Sequence, residues 1–166
     1  MAIRYEDVTE SVMEMFRKVK SQHFQELKNA KIRVLFDLKK RKSGGRIVVG
    51  RILKANDLVK HLTKNANAEE GYDFIITLDK KCWDHVTDED REKILRHELR
   101  HVSFDIEADD NPYKLVNHSI LDFYEEVEMN QNDPRWRERV ATLTEDIYEQ
   151  EKEARLEKKK KAAVKL

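Results

Sequence analysis

His97-Glu98-Leu99-Arg100-His101 lies inside the segment Thr87 to Phe104, whose apolar residues recur at helical spacing. On one helix, imidazoles at i and i+4 project from the same face and can grip a single Zn²⁺. The glutamate between them sits where it can take a proton from the metal's water. Thr87 followed by Asp90, with Glu89 and Glu92 in the first turns, supplies an N-cap and an acidic opening, so the spacing predicts a helix from there to about Phe104. At about 100° per residue, His97, His101, Ile94 and Glu98 share one side. Leu95, Leu99 and Val102 form an adjoining apolar stripe, and Arg96 and Arg100 point away. Random placement would give such a pentad in roughly one chain in forty of this composition, so its place on an amphipathic helix carries more weight than the pentad alone.

A hydrolytic zinc needs a third protein ligand and one open position. Glu107 to Asn117, containing Asp109-Asp110-Asn111-Pro112, reads as a loop that reverses the chain into a second helix, about His118 to Asn130. His118, Asp122, Glu125 and Met129 would lie on one face of that helix, and Ile120, Phe123 and Val127 on the opposite one. His118 is favoured as the third ligand because imidazole is the better zinc donor, and Glu125 is its competitor. Asp122 is placed to orient His118 as a hydrogen-bond acceptor.

Gly50-Arg51, Asp73-Phe74-Ile75-Ile76, Trp83, His97-Glu98-Leu99-Arg100-His101-Val102 and His118-Ser119-Ile120-Leu121-Asp122-Phe123 together resemble the "Putative phage metallopeptidase" family. These are small HExxH proteins of phages and prophages, similar in turn to SprT-like and other minimal zincins of the gluzincin type. The resemblance covers about residues 30 to 130. It implies His118 as third ligand, Glu98 as catalytic base, and peptide-bond hydrolysis with one zinc per chain held by His97, His101 and His118. Two positions depart from the family's habit: Ser119 stands where Asp is frequent, and Arg100 where a cysteine or small residue is frequent. The resemblance names no substrate beyond a protein or peptide.

The 166 residues suit one zincin-like domain, residues 1–148, followed by a charged tail, residues 149–166. Charged residues make up 40% of the chain and the formal net charge is zero, so there is no global attraction to nucleic acid or membrane. The single cysteine, Cys82, excludes an intramolecular disulfide and a four-cysteine zinc ribbon, and fits a reducing cytosol. Met1 to Glu10 lacks the pattern of an export signal, and no apolar run approaches a membrane span, which places the expected location in the cytoplasm. The tail is basic at Lys158 to Lys161. A solvated helix with weak i,i+4 pairs, worth about 0.3 kcal/mol each, is a commoner use of such a run than phosphate binding.

The fold class expected is α+β. It has a small, mostly antiparallel sheet of about three strands, the HExxH helix, a second ligand-bearing helix and a long charged C-terminal helix. Val8 to Leu27 has helical spacing, and Ile32, Val34, Phe36 and Leu38 alternate as in a half-buried strand. Ser43-Gly44-Gly45 reads as a hairpin turn into a strand near Ile47 to Leu53. Asn56 to Thr63 is either a short helix or an irregular connection, and Asn65 to Gly71 a loop. Asp73 to Asp79 forms the third strand, either an edge that pairs with extended substrate or an ordinary core strand. Asp133-Pro134 reads as a cap and first turn for the last helix. Trp83 is expected as a core anchor, while His23, His61 and His85 are expected at the surface. Tyr113 and Tyr124 are the candidate donors to a reaction oxyanion, with no sequence ground for choosing between them. Two other classes remain: a catalytically silent zinc-stabilised interaction module, which would not need Glu98, and a nucleic-acid-associated phage factor working through the tail.

Overall fold

A computed structural model describes residues 3–118 and 122–165. In chain order its elements are β1 (Tyr5–Asp7), α1 (Glu10–His23), β2 (Ile32–Asp37), β3 (Lys42–Ser43), β4 (Arg46–Ile47), β5 (Gly50–Lys54) and α2 (Asp57–Leu62). They continue with β6 (Phe74–Asp79), α3 (Lys80–His85), α4 (Asp88–Arg100), β7 (Val102–Phe104), β8 (Tyr113–Leu115), α5 (Tyr124–Met129) and α6 (Trp136–Val164). Mixed helices and a small sheet accord with an α+β reading.

The main sheet has the order β1-β2-β6-β5. Its outer pairings, β1 with β2 and β5 with β6, are antiparallel, while the central pairing of β2 with β6 is parallel, Ile32 opposite Phe74 through Asp37 opposite Asp79. Alternation within β2 and β6 puts Ile32, Val34, Phe36, Phe74, Ile76 and Leu78 on one face, where α1 and α4 cover them in a single apolar core. Trp83, on α3, is buried in that core and meets the Phe36 ring edge-on at 6.4 Å. Phe24, Leu27 and Leu99 complete it.

Several expectations change here. Asp73 to Asp79 is interior, flanked by β2 and β5, so of the two roles open to that segment the core strand holds, and the edges of the sheet are β1 and β5. Tyr5–Asp7 adds an edge strand that periodicity is too short to reveal. Gly44 and Gly45, with φ of 57° and 77°, turn the chain as expected, but they join the two-residue strands β3 and β4 in a separate hairpin. The segment Asn56 to Thr63 is a helix, with Asn56 as its N-cap.

Thr87 caps α4 as expected, accepting the Asp90 amide at 3.2 Å. The helix stops at Arg100, however, and Val102 to Phe104 enters a strand paired with Tyr113 to Leu115. The loop expected from Glu107 to Asn117 is thus half of a hairpin. Of the helix expected from about His118 to Asn130, the described residues show α5 over Tyr124–Met129, and Ser119, Ile120 and Leu121 lie outside the described residues.

Arg96 and Arg100 leave the site face of α4, yet Arg96 is buried. Its Nε and that of Arg100 donate to the two oxygens of the fully buried Glu126, at 3.1 and 3.2 Å, and Arg96 also donates to Asn130 at 2.8 Å. Lys93 pairs with Asp133, and Asp90 takes a two-pronged bond from Arg139. The polar side of the helix is therefore buried by charges of complementary sign from the last third of the chain. Because Asp133 is engaged in this way, α6 begins at Trp136, with Arg135 at the cap position instead of Asp133. It runs unbroken to Val164, buried at Trp136, Val140 and Thr144 and exposed over its last turns. Among the described residues no helix is long and apolar enough to cross a membrane.

Candidate metal centre

The centre is assembled from α4 and from the chain that returns to it through the β7–β8 hairpin. Leu95 and Leu99 fix α4 against the sheet, which leaves Ile94, His97 and Glu98 facing a cleft of about 690 Å³. The returning strand is fastened to the end of α4 by two bonds: the Val116 amide donates to the His101 carbonyl, and His101 Nδ1 donates to the Val116 carbonyl, each at 2.7 Å. Two residues later the chain delivers His118. Nitrogen atoms of His97, His101 and His118 all lie within 4.8 Å of one another, a cluster that could hold a metal ion. The three rings form a near-regular triangle, with centroids 5.2, 5.4 and 5.5 Å apart.

Hydrogen bonding fixes which nitrogen is offered. His97 Nδ1 faces the Asp122 carboxylate at 2.6 Å and His101 Nδ1 faces a carbonyl. Neither acceptor can donate, so both rings carry the proton on Nδ1 and present the lone pair of Nε2. Burial holds the His97 imidazolium form down to a pKa of about 4, against the opposing bond to Asp122, and burial also lowers His101. Neutral imidazoles are the forms that ligate metal. The donor set fits zinc: three imidazoles, two of them oriented by outer partners, beside an open cleft.

Asp122 does not orient His118, as its place on the expected second helix implied, but orients His97. One oxygen takes His97 and the Phe123 amide at 2.8 Å, and the other takes the Trp136 indole N–H at 3.1 Å. Burial pushes this carboxyl up, but the bond and charge of His97 and the Phe123 and Trp136 donors outweigh it, and the net direction is down. Phe123, expected on the far face of a helix, lies against all three imidazoles with centroids at 5.3, 4.9 and 5.6 Å. The competing ligand Glu125 is exposed and lines a different cavity with Phe24 and Arg100.

Glu98 is buried beside the cluster, and burial pushes its carboxyl up to about 7, with Arg137 opposing and Asp122 reinforcing the rise. Gly50 covers it. A Cβ there would come within 3.0 Å of Glu98 Oε1 and 3.1 Å of Ile94 Cγ2, so the missing side chain is what lets β5 lie on the Glu98 face of α4. Gly50, Trp136, Phe123 and Arg137 are the contributors that pattern reading did not assign to the site. Gly50 and Phe123 were legible only through the quoted family residues, and nothing in the sequence marks the other two.

The remaining candidates lie elsewhere. Tyr113 is buried with its ring against Phe74 and Phe104, and Tyr124 is exposed beside Glu125. His61 and His85 are exposed, and His23 packs against Phe24.

The sequence profile of the "Putative phage metallopeptidase" family matches residues 2–148. Neither a curated protein nor a solved structure matches the chain.

Proposed function

Because the chain belongs to the "Putative phage metallopeptidase" family, we propose that it hydrolyses peptide bonds with zinc held by His97, His101 and His118 and with Glu98 as general base. The observation that carries this reading is a buried carboxylate next to three converging imidazoles at the wall of an open cleft. Bound by these imidazoles, zinc would supply Lewis acidity, acidifying a water molecule and polarising the scissile carbonyl.

Glu98 accepts one proton from the attacking water as the new C–O bond forms, then delivers it to the amide nitrogen as the C–N bond breaks. A carboxyl whose affinity for a proton is raised toward neutrality by burial serves both steps. Asp122 holds the His97 ring in place through the cycle, and Trp136 and the Phe123 amide hold Asp122.

An extended substrate has a place to pair. The Asp79 amide bonds to the Val49 carbonyl and the Ala55 amide to the Asp73 carbonyl, so in this antiparallel register the odd residues of β5 bond to β6. Gly50, Ile52 and Lys54 turn their backbone groups to the outer edge. Lys54 reaches across to the Tyr113 carbonyl at 3.2 Å, which closes that end of the edge. Gly50 remains beside Glu98 at the cleft.

The test combines metal content by elemental mass spectrometry with cleavage of labelled casein and a peptide library. About one zinc per chain and cleavage lost by about 10²- to 10⁴-fold in Glu98→Gln, with zinc retained, is the expected result. An Glu98→Gln protein as active as the parent would overturn the base assignment. A chain that takes up no zinc would overturn the whole reading.

A further inference from the structure

Past Glu151 the last helix leaves the domain: every described residue from Lys152 on is exposed. The stripe of α6 that packs on the domain, Val140, Thr144, Ile147 and Glu151, continues along the same side of the helix as Arg155, Lys158, Ala162 and Lys165. At about 100° per residue, Lys152, Arg155, Lys158, Lys159, Lys161 and Lys165 share one half of the helix surface, over a length of about 20 Å. Glu153 and Glu157 fall on the other half, with Lys160. Glu151, at the root of the cationic half, is taken up by Lys81 of α3 and by Arg155. The pairing at i,i+4 expected of a solvated helix is otherwise not made. Among the described residues, Lys152, Lys158, Lys159, Lys161 and Lys165 enter no ion pair.

We propose that this half of α6 binds the phosphate backbone of double-stranded DNA without regard to base sequence. None of its residues lines the metal cleft, so the proposal stands apart from the hydrolase reading.

Cations set at fixed spacing on a rigid helix meet a rigid row of anions, and the counterions released supply the affinity. A duplex carries one negative charge per about 1.7 Å of its axis, so a contact about 20 Å long offers more phosphates than the helix has cations to neutralise. At physiological salt a charge is felt over about 8 Å, so the zero net charge of the whole chain does not cancel a cationic surface that stands clear of the domain. Other anionic partners fit less well. A helix lying on lipid needs an apolar half opposite its cations, and here that half carries Glu153, Glu157 and Lys160 beside Leu156 and Val164. A second copy of the chain has the carboxylates of its stretch Asp84 to Glu92 already engaged: Asp84 with Lys80, Asp88 with Arg91, Glu89 with Lys93, Asp90 with Arg139 and Glu92 with Lys18.

The test is the fluorescence anisotropy of a labelled duplex of about 30 base pairs and arbitrary sequence, titrated with the full chain between about 50 and 200 mM salt. The parent is expected to bind with a logarithmic salt slope of about −4 to −5, from about four to six phosphates neutralised, and so to lose about 10²- to 10³-fold in affinity across that range. Lys158→Gln, Lys159→Gln and Lys161→Gln combined should reduce the slope by about 3, with helix content by circular dichroism unchanged. A second variant exchanges charge between the two halves at constant net charge, Lys152→Glu with Glu153→Lys and Lys158→Glu with Glu157→Lys, and should weaken the duplex by about tenfold or more at low salt. A parent that leaves the duplex unbound at about 50 mM salt overturns the proposal. So does an unchanged slope in the triple variant, and so does a charge-exchanged variant that binds like the parent, which assigns the affinity to net charge and not to one side of the helix. Tighter binding to phosphatidylserine vesicles than to the duplex overturns it in favour of a membrane surface. Self-association in sedimentation velocity that the triple variant abolishes, without duplex binding, overturns it in favour of a second copy.

Discussion

Replacing Asp122 by asparagine keeps the shape of the side chain and removes one acceptor and one charge. The carboxylate receives His97 Nδ1 at 2.6 Å and the Phe123 amide at 2.8 Å on one oxygen, and the Trp136 indole at 3.1 Å on the other. If the asparagine oxygen keeps the first pair, its NH₂ faces the indole N–H, and a buried donor without an acceptor costs about 1–3 kcal/mol of stability. If the oxygen turns to Trp136, the NH₂ faces His97, whose proton must then move to Nε2, the atom meant for the metal. Both arrangements lose the negative charge that strengthens His97 as a donor. Loss of such a partner weakens metal binding by about 10- to 100-fold, which is about 1.4–2.8 kcal/mol at 1.4 kcal/mol per tenfold. Zinc affinity would be measured by competition against a chromophoric chelator at neutral pH, and the stability component by urea unfolding of the metal-free chain. Asp110→Asn in the exposed loop is the control. Zinc binding in Asp122→Asn within about twofold of the parent would refute the idea that this carboxylate sets the His97 tautomer.

Three further outcomes are expected. Gly50→Ala pushes a methyl against Glu98 and Ile94 and should lower casein cleavage by about 10- to 100-fold with zinc content intact; an unchanged rate would show that Glu98 has room to move. Glu126→Ala leaves Arg96 and Arg100 without their shared anion and should cost about 3–5 kcal/mol in urea unfolding, and a loss under about 1 kcal/mol would mean that α5 is held by other contacts. Tyr148→Phe removes the 2.6 Å bond to the buried Asp79, a carboxyl that burial already raises above 3.8. A raised folded-state pKa gives stability that is present below 3.8 and lost as pH rises through the folded value. Removing a bond that lowers this pKa deepens the loss, so the destabilisation should be greater at about pH 7 than near pH 4, and the opposite trend in urea midpoints would exclude the assignment.

Some of this architecture is local and could be read from the chain alone. The Thr87 cap, the placing of His97, Glu98 and His101 on one helix, the strands at Ile32 and Phe74, the Gly44-Gly45 turn and the core role of Trp83 follow from periodicity, capping and turn chemistry, which act over a few residues. Other features depend on pairing across long stretches, for which spacing holds no information. The parallel match of β2 with β6 skips the hairpin, β5 and α2 between them, and so made β6 interior. Arg96 had every mark of a solvated helix position until Glu126 arrived from α5 to bury it. His118 reaches the centre by a hairpin that replaces the last turn of a helix, and Asp122 serves His97 because Trp136 pulls its other oxygen the other way. The sequence by itself determined which side chains offer metal-binding and proton-accepting groups on one helix face, since donor type and helical phase are properties of the residues. Only the tertiary structure decided how each is held, because hydrogen bonds and buried charges are satisfied by whichever distant group the packing brings within reach.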